Sequence, residues 1–169
     1  DEQKSEHLKG LLLRCREQNA IPIVNYNDAV SSEENRRMEI LALQHDKKRV
    51  FECVDNDETA SRIACLVRAR SLVIFTSVDG IYLNPDDPAT LVKSISGKDA
   101  YELLENIEEY KKYCIGAPRA GANGAKAKLE YVKDAAAQGT TVYIASAKYS
   151  IAAVLSGNVP CTKIGIGLK

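Results

Sequence analysis

The chain contains no tryptophan and one methionine, and its acidic and basic residues balance at 23 each. A nucleic-acid partner would require a strongly basic face, so none is expected from this charge balance. No apolar run approaches the roughly 20 residues that cross a bilayer, so no membrane partner is expected either. With 169 residues, 45% of them apolar, the chain is predicted to form a single domain over residues 1–169.

The five cysteines are widely spaced and form no CxxC pair, which argues against a zinc site or a disulfide framework. Cys15, Cys53 and Cys65 lie within apolar patterns and are predicted to be small buried hydrophobic residues. Free thiols fit a reducing compartment, and the first four residues resemble neither a signal nor a transit peptide. We therefore predict a cytoplasmic protein without a metal site of its own.

Helical and strand patterns alternate along the chain. Helices are predicted at residues 6–19, 57–67, 100–110, 129–138 and 150–155, and strands at residues 21–24, 50–54, 72–76, 141–145 and 161–166. This alternation predicts the α/β class, with a three-layer αβα sandwich around a mainly parallel sheet. Because an amphipathic helix and a strand open the chain, we expect the sheet to be incomplete at the N-terminus, with more of it before Asp1.

Polar loops follow three of the predicted strands, at residues 25–28, 55–57 and 76–80. A fourth loop, residues 121–128, precedes a predicted helix. In open α/β sheets, ligands bind outside the carboxyl ends of the strands. The four loops are therefore expected to converge at one edge, although turn chemistry alone would also explain their polar side chains.

The segment G-A-N-G-A-K-A-K at residues 121–128 places two glycines and two lysines at a helix N-terminus. Free backbone N–H groups and the helix dipole favour an anion such as a phosphate there. The segment lacks the Walker A pattern, and a flexible surface loop is the alternative interpretation. Lys128 is a candidate for charge stabilisation and Asp57 for the carboxylate that orients it, although residues 55–57 could be a helix cap alone.

Four segments together resemble the amino acid kinase family, and within it the glutamate 5-kinases. Residues 22–30, PIVNYNDAV, are similar to the family's PI(I/V)NENDAV, and residues 54–57, VDND, to its GDND. Residues 74–82, IFTSVDGIY, are similar to LLTDVDGLY, and residues 121–129, GANGAKAKL, to GTGGMxTKL. The resemblance covers nearly the whole chain.

The resemblance implies ATP-dependent phosphorylation of the side-chain carboxylate of L-glutamate, with Mg2+ accompanying ATP. It assigns Asp57 and Lys128 to catalysis, and Asn25, Asp28 and Asn56 to glutamate binding. The resemblance also assigns residues to nucleotide binding, namely Thr76, Ser77, Ala122, Asn123, Gly124, Ala125, Lys126, Ala127 and Lys128. The resemblance also implies a homo-oligomer whose partners are glutamate and ATP.

Several positions depart from the family pattern. Tyr26, Val54 and Ser77 replace a glutamate, a glycine and an aspartate, and the Gly-Gly pair of the phosphate loop is broken. The family's first strand, with its lysine and Gly-Ser pair, is absent from this sequence. Two alternatives therefore stay open: a degenerate member that binds nucleotide or amino acid as a regulator, and a related kinase that acts on another acidic substrate.

Overall fold

The computed structural model describes residues 2–24, 56–84, 86–114 and 124–168. The α-helices are α1 (Glu2–Glu17), α2 (Asn56–Val67), α3 (Ala100–Tyr113), α4 (Gly124–Ala137) and α5 (Ile151–Leu155). The strands are β1 (Ser71–Thr76), β2 (Ser94–Gly97), β3 (Thr141–Ser146) and β4 (Cys161–Ile166), and a 3-10 turn spans Pro88–Thr90. Within these ranges, no helix has the length and apolar character needed to cross a membrane.

The four strands form one mixed sheet in the order β1-β3-β4-β2. β1 pairs with β3 in parallel, β2 pairs with β4 in parallel, and β3 meets β4 antiparallel. The predicted α/β class with a mainly parallel sheet is confirmed. The antiparallel pairing in the middle means that β1 and β3 point one way, whereas β2 and β4 point the other.

One face of the sheet carries the main core, beneath α2, α3 and α4. The helical spacing of Leu129, Val132 and Ala136 predicts the buried side of α4, and all three side chains are fully buried. They pack with strand residues that alternate in the way a covered sheet face requires. The buried members of this cluster are Ile74, Ile81, Val92, Ile95, Leu103, Ile107, Leu129, Val132, Ala136, Val142, Ile144 and Ile164.

The opposite face is covered, among the described residues, by the short helix α5. Val154 of α5 packs with Tyr143 and Ala145 of β3. Val73 of β1 packs against this cluster as well. The apolar run at residues 72–76 predicts a strand buried on both faces, but Phe75 is 37% exposed, so this prediction is wrong at that residue.

The helix ends follow the sequence signals closely. Asp99 caps α3 by accepting a hydrogen bond from Glu102 N, and Glu102 reaches back to Lys98 N. The first bond satisfies a donor that a helix start leaves unpaired, as the Asp99–Glu102 spacing predicts, and the second satisfies the N–H group of the residue before the cap. After α4, Gly139 adopts a positive φ of 94°, and the two N–H groups at Gly139 and Thr140 bond back to the last helical turn.

The start of the chain is predicted correctly in its helix and incorrectly in its strand. In α1, Leu12 and Cys15 are half-buried while Leu8 and Leu11 remain exposed. The predicted strand at residues 21–24 is absent, and Ile21 and Ile23 are 90% and 94% exposed. An apolar run becomes a strand when a neighbouring strand accepts its hydrogen bonds, and no described strand lies beside this one. The predicted strand at residues 50–54 lies outside the described residues.

The four described cysteines are free thiols. Cys15 and Cys65, predicted to be buried, are half-buried, and Cys53 lies outside the described residues. Desolvation raises the pKa of Cys65, Cys114 and Cys161 above that of an ordinary thiol. These three thiols therefore stay protonated near neutral pH, as small hydrophobic side chains do.

Thr162 joins the last strand to the turn that follows β1. Its fully buried hydroxyl accepts a hydrogen bond from Ile81 N at 2.8 Å and donates one to Val92 O at 2.6 Å. Gly80 lies so close that an added Cβ would stand 2.5 Å from the Thr162 Oγ1. The two hydrogen bonds of the Thr162 hydroxyl therefore hold the end of the turn against β4. The absence of a side chain at Gly80 allows this close approach.

Gly97 at the end of β2 should tolerate no side chain. An added Cβ would lie 2.2 Å from Leu103 N and 2.7 Å from its Cα, so α3 would have to move away from the sheet. We expect Gly97→Ala to lower the free energy of unfolding by about 2 kcal/mol or more, measured by urea denaturation. The control is Gly10→Ala in α1, where the added methyl group meets nothing within 4 Å. This change should raise the free energy of unfolding by up to about 1 kcal/mol. Equal stability of Gly97→Ala and wild type would contradict the seating of α3 on β2.

Removing the Thr162 hydroxyl should also destabilise the fold. Thr162→Val keeps the shape but leaves a buried N–H and a buried carbonyl without their partner, which costs about 1–3 kcal/mol. Thr162→Ser keeps both hydrogen bonds and loses a methyl group, at a cost of about 1 kcal/mol. Thermal and urea unfolding should therefore show that Thr162→Ser is more stable than Thr162→Val. The reverse order of stability would show that packing of the methyl group outweighs the two hydrogen bonds of the hydroxyl.

Candidate active site

Two helix N-termini lie at the same edge of the sheet. A connection of three residues joins α2 to β1, and another joins α4 to β3, so each helix runs antiparallel to the strand that follows it. Because β1 and β3 are parallel, both helices begin at the carboxyl edge of these two strands. α2 and α4 also pack against each other, which places their first turns side by side.

An ion pair links these two first turns. Lys128 Nζ lies 2.5 Å from Asp57 Oδ2, although the two residues are 71 positions apart in the chain. Each side chain is 21% exposed, so the pair is screened less than a surface pair would be. The arrangement holds a cation at the start of α4, beside a carboxylate at the start of α2.

The first turn of α4 offers backbone donors next to this cation. Gly124, where the helix begins, has a φ of 38°, a conformation that favours glycine. The first four N–H groups of a helix have no partner within it, and the dipole favours a negative charge there. Ala125 packs against the core and Lys126 is exposed. Ala125 can therefore contribute to a ligand site through its backbone N–H and not through its side chain.

The carboxyl ends of β1 and β3 complete this edge. Thr76 lies opposite Ser146 in the register, and Ala147 N donates to Thr76 O at 2.9 Å. Ser77 follows and is exposed. Beyond it, Asp79 Oδ1 lies 2.8 Å from Lys148 Nζ, in the loop after β3. The sequence analysis did not single out Lys148, because no motif spacing links it to Asp79.

A second group of charges holds α4 against α3. Lys111 Nζ contacts Glu108 at 2.8 Å and Glu130 at 2.5 Å, and Lys133 contacts Glu130 as well. Burial alone would lower the pKa of Lys111, but the hydrogen bonds to both carboxylates outweigh burial and raise it. Hydrogen bonds from Lys111 and Lys133 lower the pKa of Glu130. These opposite shifts keep the network charged near neutral pH and fix α4 half a turn beyond Lys128.

The structure brings several of the predicted site residues to one edge. Asp57 and Lys128 are in contact, and Asn56, Thr76, Ser77, Gly124, Ala125, Lys126 and Ala127 lie at the same edge of the sheet. Asn25, Asp28, Ala122 and Asn123 lie outside the described residues. The predicted convergence of loops can therefore be followed for the loop after β1 and for the starts of α2 and α4.

The chemistry available at this edge is the binding and neutralisation of an anion. A lysine ammonium and the backbone N–H groups of α4 are the donors, and the Asp57 carboxylate fixes the lysine. In the described part of the chain, no group of three or more His, Cys, Asp or Glu side chains is arranged to hold a metal ion.

Known proteins provide an independent comparison. The model of the Amino acid kinase family matches residues 1–146. A glutamate 5-kinase of Clostridium perfringens is 32% identical over 132 residues, which cover 77% of this chain and 42% of that protein. A glutamate 5-kinase of Idiomarina loihiensis is 28% identical over 171 residues, which cover 96% of this chain and 39% of that protein. The chain thus spans about two fifths of the length of these two relatives.

A solved structure agrees at the level of the fold. A crystal structure of a protein from Aeropyrum pernix K1 aligns with a TM-score of 0.52 and 22% identity, over 69% of this chain and 34% of that one. The family match covers far more than half of the sequence, and it includes the segments that carry Asp57 and Lys128. By its sequence and by the arrangement of its sheet and helices, the chain belongs to the amino acid kinase family.

Proposed function

We propose that this chain is part of an ATP-dependent kinase that phosphorylates the side-chain carboxylate of L-glutamate, the first step of proline biosynthesis. The observation that carries the proposal is the ion pair between Lys128 and Asp57, set between two helix N-termini. The names of the relatives support glutamate as the acceptor. We extend the proposal to a cytoplasmic homo-oligomer, in line with the tendency of the family to associate.

The proposed reaction is a direct transfer between two oxygens. A carboxylate oxygen of glutamate attacks the γ-phosphorus of ATP, the bond from phosphorus to the bridging oxygen breaks, and ADP leaves. Charge spreads over the equatorial oxygens of the transferred group, so the protein mainly positions the substrates and neutralises this charge. Lys128 supplies the positive charge, and Asp57 holds its ammonium in place before the nucleotide binds.

The start of α4 and the end of β1 suit the nucleotide. The backbone N–H groups of the first turn of α4 point out of the helix and would face the phosphates, together with Ala122 and Asn123 just before it. Thr76 and Ser77 offer hydroxyls at the same edge. Mg2+ enters with ATP as part of the nucleotide substrate and offsets the charge of the phosphates.

The start of α2 suits the amino acid. Asn56 lies at the helix N-terminus, beside Asp57, where a carboxylate ligand is favoured by the dipole. Asn25 and Asp28 are proposed to complete the glutamate site, since an amide and a carboxylate together match an ammonium group and a carboxylate group.

A regulator that binds nucleotide without transferring phosphate is the second candidate. Ser77 stands where the family has an aspartate, and Asn123 stands in its Gly-Gly pair, so two nucleotide contacts are altered. Both changes fall on the proposed nucleotide contacts and leave the Asp57–Lys128 pair in place. A measurement of turnover therefore separates this candidate from the kinase.

The kinase should form an acyl phosphate that hydroxylamine traps. We expect protein produced from the complete coding sequence, incubated with ATP, Mg2+ and L-glutamate, to yield a hydroxamate together with an equal amount of ADP. Parallel reactions with L-aspartate and without an amino acid are the controls. ATP binding without a hydroxamate from any acidic amino acid would support the regulator, and a product from another acid would change the assigned substrate.

Removing the Lys128 charge should act on turnover. In the same protein, Lys128→Met is expected to lower kcat roughly 100- to 1000-fold, as the loss of one transition-state donor does. Asp57→Asn should also lower kcat, but less, because the lysine charge remains. Lys98→Met is the matched control, since Lys98 is largely exposed beyond the far edge of the sheet. Unchanged kcat in a folded Lys128→Met variant would move the phosphate site elsewhere.

A further inference from the structure

The turn at residues 77–80 is held from three directions. Ala147 N donates to Thr76 O at 2.9 Å, so the pairing of β1 with β3 continues to the last residue of the strand. On the far side of the turn, Ile81 N donates to the buried Thr162 hydroxyl. Between these two anchors, the contact from Asp79 to Lys148 is the side-chain link to the loop after β3. The exposed Ser77 and Val78 lie on the span that these contacts fix.

Asp79 and Lys148 are unequal partners. The Asp79 side chain is 23% exposed, whereas that of Lys148 is 58% exposed and lies with its ammonium 4.8 Å from the centre of the Tyr149 ring. The ion pair with Asp79, followed by the interaction with Tyr149, raises the pKa of Lys148. The lysine is therefore charged at any physiological pH, and its charge is directed at a carboxylate that is mostly withdrawn from water.

We propose that Lys148 is a positioning residue for the nucleotide: it holds the turn at residues 77–80 through Asp79, and so keeps Thr76 and Ser77 in place at the edge of the sheet. This inference rests on the proposed function, because it takes the Thr76–Ser77 edge to be a nucleotide contact. A turn fixed before ATP arrives loses less conformational freedom on binding. The effect belongs to nucleotide affinity, since neither residue touches the transferring phosphate.

A direct contact between Lys148 and ATP would give a different pattern of variants. If the lysine bound a phosphate itself, Asp79 would compete for it, and Asp79→Asn would leave ATP affinity unchanged or improve it. If Lys148 acts through Asp79, removal of either partner releases the same turn. The two variants and their combination therefore separate positioning from direct binding.

The test is the Kd for Mg-ATP, measured by calorimetry on protein from the complete coding sequence. Asp79→Asn, Lys148→Met and the double variant should each raise Kd about fivefold, with no further loss in the double variant. Lys148→Arg keeps the ion pair and should stay within about twofold of wild type. Lys98→Met, which removes an exposed lysine at the far edge, is the matched control. Where the hydroxamate reaction proceeds, KM for ATP should rise with Kd while kcat stays unchanged.

Three results would overturn the inference. These are wild-type affinity in both single variants, a loss confined to Lys148→Met, and a double variant whose loss equals the product of the single losses. If Asp79→Asn fails to fold, wild-type affinity for Mg-ATP in the exposed Lys148→Met variant still overturns the inference. Absence of hydroxamate with ATP binding intact would count against glutamate as substrate and leave this inference standing, whereas absence of ATP binding would remove both.

Discussion

The parallel pairing of β1 with β3 determines where the chemistry of this chain can lie. Each of these strands follows a helix that returns along it, so parallel strands require the two helices to begin at one edge. Asp57 and Lys128 meet for this reason, despite the long stretch of chain between them. The antiparallel pairing with β4 adds the beginning of the last strand to the same edge, which is how Thr162 reaches the turn after β1.

The Asp57–Lys128 pair is better understood as an organising contact than as a source of stability. Two charges that leave water lose hydration, and their mutual attraction offsets this loss only when the geometry is good. Here Asp57 gains a second favourable interaction, because a negative charge at the start of α2 is stabilised by the helix dipole. A lysine held this way keeps its ammonium at one point, beside the N-terminus of α4.

Local signals predicted the buried side of α4 and the ends of the helices. The buried stripe of α4, the Asp99 cap and the positive φ of Gly139 follow from spacing and side-chain chemistry within a few residues. The strand predicted at residues 21–24 failed because a strand depends on a neighbour that its own sequence does not encode. β2 was not predicted, because its four residues show little apolar alternation. The need for glycine at Gly97 comes from the backbone of α3 and not from its neighbours in sequence.

The candidate site shows the same division. The resemblance to a family identified Asp57 and Lys128, and the structure supplied their contact. No pattern in the sequence pairs Asp79 with Lys148, because two loops become adjacent only when β1 and β3 align. Spacing rules work along one element, whereas an edge of a sheet collects residues from distant parts of the chain.

The hydrogen bond from Ile81 to Thr162 spans 81 positions and has a consequence for how the protein is made. A ribosome releases Ile81 long before Thr162, so the growing chain carries the turn after β1 without its anchor. The edge formed by the carboxyl ends of β1 and β3 cannot mature until β4 has left the exit tunnel and docked. A chain that ended before Thr162 would therefore lack the anchor of a turn encoded 81 residues earlier, and long-range closure of this kind makes for slow folding.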